Sequence, residues 1–445
     1  MTTLVWFRRD CRLTDHPGIH WASSRGPVAF GYVVPSPDYP WAMGAAQQSW
    51  LHGTLASLSA DLGARQAQLL LAKGDPLTVI PQWVTDLSAT AVVVADDPHP
   101  QHVKWDQQLA EHLAKCGVLY HRVNALRLTE PFEQYKADGA PFRVFTPFWK
   151  RLQTLEVPLP LPDRPVDPAP PIPTATLSSL GLKPHVPWDL GFDWVPGREG
   201  ALALLSRFLP QASAYGLHRN TPSRVSTSCL SPYLALGVVS PREVWHSVSL
   251  AQAPTFLSQV GWREFAYHTL EGAPQLVDTP LQPSFERFPW SFDADTFQRW
   301  TSGQTGYPLV DAGMRELWQT GWMHNRVRMV VASFLVKHLL MPWQEGAAWF
   351  WDTLIDADLP NNTLGWQWVA GCGVDAAPYF RVFNPFLQSK KFDPQGRYIR
   401  QWVPELAHLS SDRIHDPDGV PGYPRPMVDH ATARQRALDA WATLR

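Results

Sequence analysis

The spacing of hydrophobic positions changes character once along this 445-residue chain. Over residues 1–130, short and nearly unbroken apolar runs alternate with stretches of helical period. LVWFRR (4–9), VAFGYVV (28–34), QLLLAKG (68–74), TAVVVAD (90–96) and VLYHRV (118–123) predict five strands. Runs of this kind suit parallel strands buried on both faces. Between them, WLHGTLASLSADLG (50–63) has helical period and a terminal glycine, and 76–87 and 102–115 follow the same pattern. The alternation predicts an α/β fold, a doubly wound parallel five-stranded sheet domain over 1–130. The strand ends carry neither GxGxxG nor GxxxxGK[ST], which disfavours a dinucleotide or P-loop site of the usual kind.

Residues 131–199 read as an inter-domain linker. Within it, VPLPLPDRPVDPAPPIP (157–173) holds eight prolines, which exclude a regular helix or inner strand and predict an extended surface segment. From about residue 200 the β signal vanishes. Helical patterns cover 241–250, 254–271, 294–303, 308–320, 321–340, 344–355 and 430–444, with loops at 213–231 and 357–365, so 200–445 is expected to be all-helical. Inside it, GWMHNRVRM (321–329) sets Trp322, Asn325 and Met329 on one side of a helix whose other side is Val327, Val330, Val331, Phe334 and Leu335. Such a stripe is expected to face a large aromatic cofactor.

Composition narrows the classes. With 45% hydrophobic and 18% charged residues the balance is that of a globular protein, and the length implies two or three domains. No run of 18 apolar residues and no secretory head is present, so a cytosolic protein off the membrane is expected. Cys11, Cys116, Cys229 and Cys372 lie far apart, without metal-ligand spacing. A net charge of −2 argues against broad coating of nucleic acid but not against a local basic patch. Of 22 tryptophans, 13 follow residue 200. They build a bulky aromatic core, or they stack on planar groups and relay electrons.

Four constellations carry candidate chemistry. Tyr215, Arg219 and the run Thr227-Ser228-Cys229-Leu230-Ser231-Pro232 gather hydroxyls at a helix start. They suit N-capping, and together with backbone N–H groups they suit a phosphate. Asp356, Asp358, Asn361 and Asn362 sit in an apolar neighbourhood, where carboxylates need partners. Asx caps would satisfy them, but pairing with an arginine such as Arg328 is the stronger chemistry. Gln259 and Arg263, four residues apart around Trp262, would alone be a surface polar pair. Arg219, Arg326, Lys390, Lys391, Arg397 and Arg400, with Gln388 among them, are a solvated face or, gathered about Trp262 and Trp368, a hold on DNA phosphates.

These segments fall in a familiar order. WFRRDCRLTDHP, RVFTPFWKRL, TSCLSPYLALGVVSPREV, WREF, GQTGYPLVDAGMREL, GWMHNRVRM and DADLPNNTLGWQWVAGCGVDAAPYFRVFNP span almost the whole chain. With them the sequence resembles the DNA photolyase/cryptochrome flavoproteins, and most of all the bacterial branch that repairs cyclobutane pyrimidine dimers. The resemblance implies a U-shaped FAD in the helical domain, active as reduced FADH−. Tyr215, Thr227, Ser228, Leu230 and Ser231 match positions around its phosphates and ribityl chain. Trp322, Asn325, Arg328, Asp356, Asp358 and Asn362 match positions around isoalloxazine and adenine, with Arg328 paired to Asp356 and Asn362 beside flavin N5; Gln259 and Arg263 join this cofactor set. Trp366, Trp343 and Trp290 match the family's electron relay. Trp262 and Trp368 match the pair that sandwiches a flipped-out dimer, with Asn325 and Met329 lining its pocket. Arg219, Arg326, Gln388, Lys390, Lys391 and Arg397 are expected to contact DNA.

The resemblance also sets the substrate. (6-4) photolyases carry histidine at both the 325 and 329 positions, whereas this chain has Asn325 and Met329, which points to cyclobutane dimers. Three departures matter. Gln259 replaces the glutamate usual in dimer photolyases and keeps a blue-light photoreceptor of the cryptochrome kind as the alternative. Phe256 replaces a common tryptophan. ADDPHPQH (95–102) replaces the usual antenna motif, so any antenna chromophore is expected to be a folate, or none is bound. The end of the chain soon after the helical core favours repair over signalling, and the dispersed cysteines speak against an iron–sulfur cluster. The expectation is therefore a cytosolic, monomeric, light-driven lyase without metal that acts on UV-damaged DNA.

Overall fold

The computed structural model describes residues 1–184, 188–376 and 380–444. Residues 377–379 of the motif that begins at Asp356 lie outside the described residues. The chain forms two compact units. The first comprises Met1–Pro187, Trp194–Ser213 and Ser228–Pro274; the second comprises Trp188–Asp193, Ala214–Thr227 and Gln275–Arg445.

The first unit is built on a five-stranded parallel sheet of β1 (Thr2–Phe7), β2 (Val28–Val34), β3 (Leu69–Lys73), β4 (Ala89–Ala95) and β5 (Leu119–Val123), in the order β3-β2-β1-β4-β5. Leu4, Trp6, Ala29, Leu70, Val92 and Val94 lie in one buried cluster, which is why these runs are apolar throughout. The doubly wound expectation holds, with the order reversing beside β1. Arg8 and Arg9, expected inside the first strand, lie beyond it. The Arg8 N–H turns to Asp10 Oδ1 at 2.8 Å and its guanidinium goes to Asp106 and the Ala95 carbonyl. The proline-rich segment is extended, as expected. It touches the sheet through one parallel bridge, Val28 with Pro168, where Val28 N–H donates to the Asp167 carbonyl and Ala169 N–H to the Val28 carbonyl.

Helices Ala45–Gly63, Pro76–Asp86, Pro100–Lys115, Phe145–Leu152, Arg198–Phe208 and Pro254–Gly272 complete this unit. The last is tied down by its polar groups. Arg263 Nη1 donates to the Leu126 carbonyl at 2.7 Å and Nη2 to Tyr267 Oη at 3.0 Å, while Glu264 accepts from Leu128 N–H at 3.0 Å. Arg263 is 8% exposed, so the surface pairing with Gln259 is corrected: the guanidinium is a buried tie.

The second unit is helical, with no strand among the described residues. Its main helices are Ala294–Thr301, Pro308–Thr320, Asn325–Ser333, Trp343–Thr353, Leu359–Ala370, Pro385–Phe392, Arg397–Trp402 and His430–Ala442. The helix expected over 321–340 is shorter. Gly321, at φ 66°, ends the preceding helix in the left-handed region that favours glycine. His324 then caps the next one, its Nδ1 accepting from Arg326 N–H at 3.2 Å. Past Ser333 the backbone widens into a π-turn, Phe334–His338. Trp322 therefore precedes the helix and does not share its periodic face with Asn325 and Met329.

Candidate functional site

The helix Asn325–Ser333 buries Val327, Val330 and Val331 and turns its polar residues away from them. Arg328 reaches back: its Nε donates to the Met323 carbonyl at 2.7 Å and its Nη2 to Asp356 Oδ2 at 2.7 Å. The other carboxylate oxygen, Asp356 Oδ1, is buried without a partner. A buried carboxylate oxygen left so calls for an external N–H or O–H donor. Asp358 begins the helix Leu359–Ala370 as its cap, accepting from Asn361 N–H at 3.3 Å and from the Asn361 side-chain amide. The Asx-cap reading of this loop is thus correct for Asp358 and incorrect for Asp356. Asn362, one residue further, is half-buried and fixed by its Nδ2 donating to the Ala347 carbonyl at 3.0 Å.

The same unit holds five of the tryptophans expected at the site. Trp366 is buried on the same helix; a Cβ at Gly346 would overlap its ring, so that glycine lets the Trp343–Thr353 helix approach. Trp343 is fully buried, and half-buried Trp290 donates its Nε1 to the Phe285 carbonyl at 3.2 Å. Trp322 lies under the Arg328 guanidinium at 5.9 Å, and Trp368 Nε1 donates to the Asp375 carbonyl at 3.1 Å. Tyr215 is buried beneath Arg219, 5.2 Å from ring centre to guanidinium, and burial raises its phenol pKa. Thr227 is half-buried.

Arg326 feels the charge of two further guanidiniums in this unit. Arg326 donates to Asn220 Oδ1 at 3.2 and 2.9 Å and lies 4.4 Å over the Phe392 ring. Among the described residues no carboxylate pairs with it. Its pKa is pushed down by burial first, then by the positive charges of Arg219 and Arg381. Mutual repulsion of this kind is relieved by an anion. Asn325, Lys390, Lys391 and Arg397 are exposed, and Met329 and Gln388 are half-buried, Gln388 with a buried Oε1 that has no partner. Arg400 instead spends its guanidinium on the Ala407 and Leu409 carbonyls, so the basic set is smaller by one.

In the first unit, the short helix Ser231–Ala235 is entered through Leu230, which cannot cap it. Ser228 Oγ accepts only a long bond, 3.5 Å, from Leu230 N–H, and Ser231 is exposed. The simple capping role therefore does not hold at Leu230, where the helix starts. Gln259 turns its Nε2 to Ser258 Oγ at 3.1 Å and to the Thr255 carbonyl at 3.3 Å. Trp262 is half-buried, with Phe145 stacked on it at 3.9 Å.

Sequence reasoning missed several neighbours. Asn220 and Arg381 also act on Arg326; Arg381 lies inside the motif 356–385 and Asn220 follows Arg219, but neither residue type points to this role by itself. Glu316 is a buried acid in the Pro308–Thr320 helix, accepting from Tyr398 Oη at 2.5 Å and from His324 N–H at 3.2 Å. Burial pushes its pKa up to about 7. Its signal was a second carboxylate, besides Asp311, in a helix with a long apolar face. His324, between Glu316 and the guanidiniums, has its pKa lowered to about 4 by burial first, then by Arg328, Arg326 and Arg219.

The chain thus joins a doubly wound parallel sheet to a helical unit that holds an arginine–carboxylate pair with one unsatisfied oxygen. Residues 3–166 match the DNA photolyase family model, and residues 256–443 match the FAD binding domain of DNA photolyase. The chain is 41% identical to a deoxyribodipyrimidine photo-lyase of Agrobacterium fabrum over 99% of its length and 98% of the relative's. It is 36% identical to cryptochrome-2 of Arabidopsis thaliana, over 97% of this chain and 77% of that one. The crystal structure of a bacterial class III photolyase from Agrobacterium tumefaciens superposes with a TM-score of 0.94 at 40% identity, covering 100% of this chain and 97% of the other. The chain belongs to the DNA photolyase/cryptochrome family.

Proposed function

We infer that this protein is a deoxyribodipyrimidine photo-lyase, which uses FAD and light to split cyclobutane pyrimidine dimers in DNA. The observation that carries this is the helix Asn325–Ser333. It places Arg328 on Asp356 at 2.7 Å and, within one turn, carries Asn325 and Met329 at its solvent-accessible side. The residues fit FAD: the partnerless Asp356 Oδ1 suits a ring N–H donor, and Asn362 stands fixed nearby on the next helix.

Held here in its reduced form, FAD would supply light-driven one-electron chemistry for opening the cyclobutane ring, with no net oxidation. The chain does the rest. Arg328 and Asp356 orient the ring system. The buried Trp366, Trp343 and half-buried Trp290 form a route by which an electron reaches the oxidised cofactor from outside. Trp262 and Trp368 each offer an indole face for stacking a flipped base. Asn325 and Met329, lacking an imidazole, supply no proton donor of the kind a (6-4) lesion needs. Arg219, Arg326 and the exposed Lys390, Lys391 and Arg397 neutralise phosphates.

A second reading, a cryptochrome-like photoreceptor, is favoured by one observation: the Gln259 amide nitrogen is bonded back to its own helix. Illumination of the reduced protein with oligonucleotides carrying each lesion separates the readings. Cyclobutane dimers should be restored and (6-4) products left intact; restoration of neither would leave the photoreceptor. Trp366→Phe should suppress photoreduction of oxidised FAD while pre-reduced protein still repairs. Loss of both activities would remove Trp366 from the relay.

A further inference from the structure

The helix Phe145–Leu152, with sequence FTPFWKRL, has no role in the function derived so far. Phe145 and Trp149 are neighbours four residues apart along it, with ring centres 6.1 Å apart and planes 14° from parallel. Together they grip one dipeptide of the Pro254–Gly272 helix. Phe145 lies face to face on Trp262, with centroids 3.9 Å apart and planes at 12°. Trp149 lies over the neighbouring Gly261, where a Cβ would fall 2.5 Å from Trp149 Cε3. Phe265 closes the side, edge-on to both Trp262 at 5.7 Å and Phe145 at 5.9 Å. Trp262 nevertheless stays half-buried.

We propose that Phe145 and Trp149 are positioning residues that hold the Trp262 indole as a fixed stacking face, and that discrimination of damaged from undamaged DNA depends on this clamp. The inference rests on the reading of Trp262 as a base-stacking residue. A lone half-exposed indole samples several rotamers, and a base stacking on it must first select one. With one face occupied by a parallel ring and its edge blocked by Phe265, the indole loses that freedom on folding and not on binding, which is what preorganisation means. Gly261 is part of the device, because only a residue without Cβ admits Trp149 so close to the helix. The geometry is a three-ring ladder, Trp149–Phe145–Trp262, that ends at the half-buried indole.

The test uses the FAD-loaded protein and fluorescent duplexes with and without one cyclobutane dimer, titrated in the dark, followed by repair kinetics. Phe145→Ala should weaken binding of the damaged duplex roughly 2- to 12-fold, the range that loss of an aromatic pair implies. Undamaged duplex should bind as before, and repair at saturating lesion should stay within about twofold of the parent, since only ground-state positioning is touched. Phe145→Leu keeps apolar volume without a flat face and should behave like Phe145→Ala, whereas Phe145→Tyr should behave like the parent. Gly261→Ala should act in the same direction as Phe145→Ala. If Phe145→Leu discriminates like the parent while Trp262→Ala does not, the clamp is refuted and the role of Trp262 stands. If Trp262→Ala also discriminates like the parent, the reading of Trp262 falls and the clamp falls with it.

Discussion

The two units of this molecule differ in what some of their arginines meet. In the sheet-bearing unit several deep guanidiniums lie against carboxylates: Arg8 on Asp106 at 2.9 Å, Arg242 on Asp15 at 2.9 Å, Arg127 on Glu271 at 2.8 Å. In the helical unit Arg326 donates to the Asn220 side-chain oxygen and not to a carboxylate, and Arg328 satisfies only one oxygen of Asp356. Asp106 and Asp15 have both carboxylate oxygens hydrogen-bonded and hold the fold, whereas Asp356 keeps one buried oxygen without a donor, an arrangement that suits a ligand. Arginine content alone would not separate the two; the partner of each guanidinium does.

The contrast breaks most sharply by removing one partner on each side. Arg328→Ala strands the Asp356 carboxylate, a change that costs about 3–5 kcal/mol when a buried pair is broken. We expect it to appear as flavin lost on purification, read from absorbance per chain; full flavin occupancy would show that the pair does not hold the cofactor. Asp106→Ala strands Arg8 and also the Tyr120 hydroxyl, which donates to Asp106 Oδ1 at 2.7 Å. A loss of about 3–5 kcal/mol should then appear in the thermal midpoint, with repair per folded molecule unchanged. A repair defect at intact stability would place that network in the active machinery instead.

A smaller effect follows from Glu316. Its carboxyl pKa is raised from 4.5 to about 7, chiefly by burial. A raised folded-state value means that the folded protein holds the proton more tightly than the unfolded chain. The stability contribution is full below pH 4.5 and is lost as pH rises through about 7, by roughly 3 kcal/mol over that window. Glu316→Gln should flatten this part of the stability–pH curve; an unchanged slope would mean that the acid titrates normally. The smallest change is expected of Arg326→Gln. It should weaken damaged and undamaged duplex alike and reduce the slope of log affinity against log salt by about one, with no loss of thermal stability. An unchanged salt slope would remove Arg326 from the phosphate contacts.

Much of this was legible in the chain. The five apolar runs mark β1 to β5 because parallel strands are buried on both faces, so local pattern and tertiary environment agree. Arg328, Asp356 and Asn362 were legible through motifs whose chemistry demands partners. The segment 321–340 was not read correctly, because a positive-φ glycine and a histidine cap interrupt an otherwise regular period. Arg263 was misplaced for a different reason: spacing along a helix does not show which face another element covers. The clamp on Trp262 lies further out of reach, since Phe145 and Trp262 are far apart in sequence and only the packing of two helices joins them.

The central claim is that the electron given to the dimer comes back. FAD in the purified protein can be reduced once, the reductant removed under anaerobic conditions, and dimer-containing oligonucleotide added in excess before illumination. Restored thymine absorbance amounting to several dimers for each bound FAD, with the flavin still reduced at the end, is the predicted result. Repair that stops at one dimer for each FAD, or no repair with the flavin fully reduced, contradicts it.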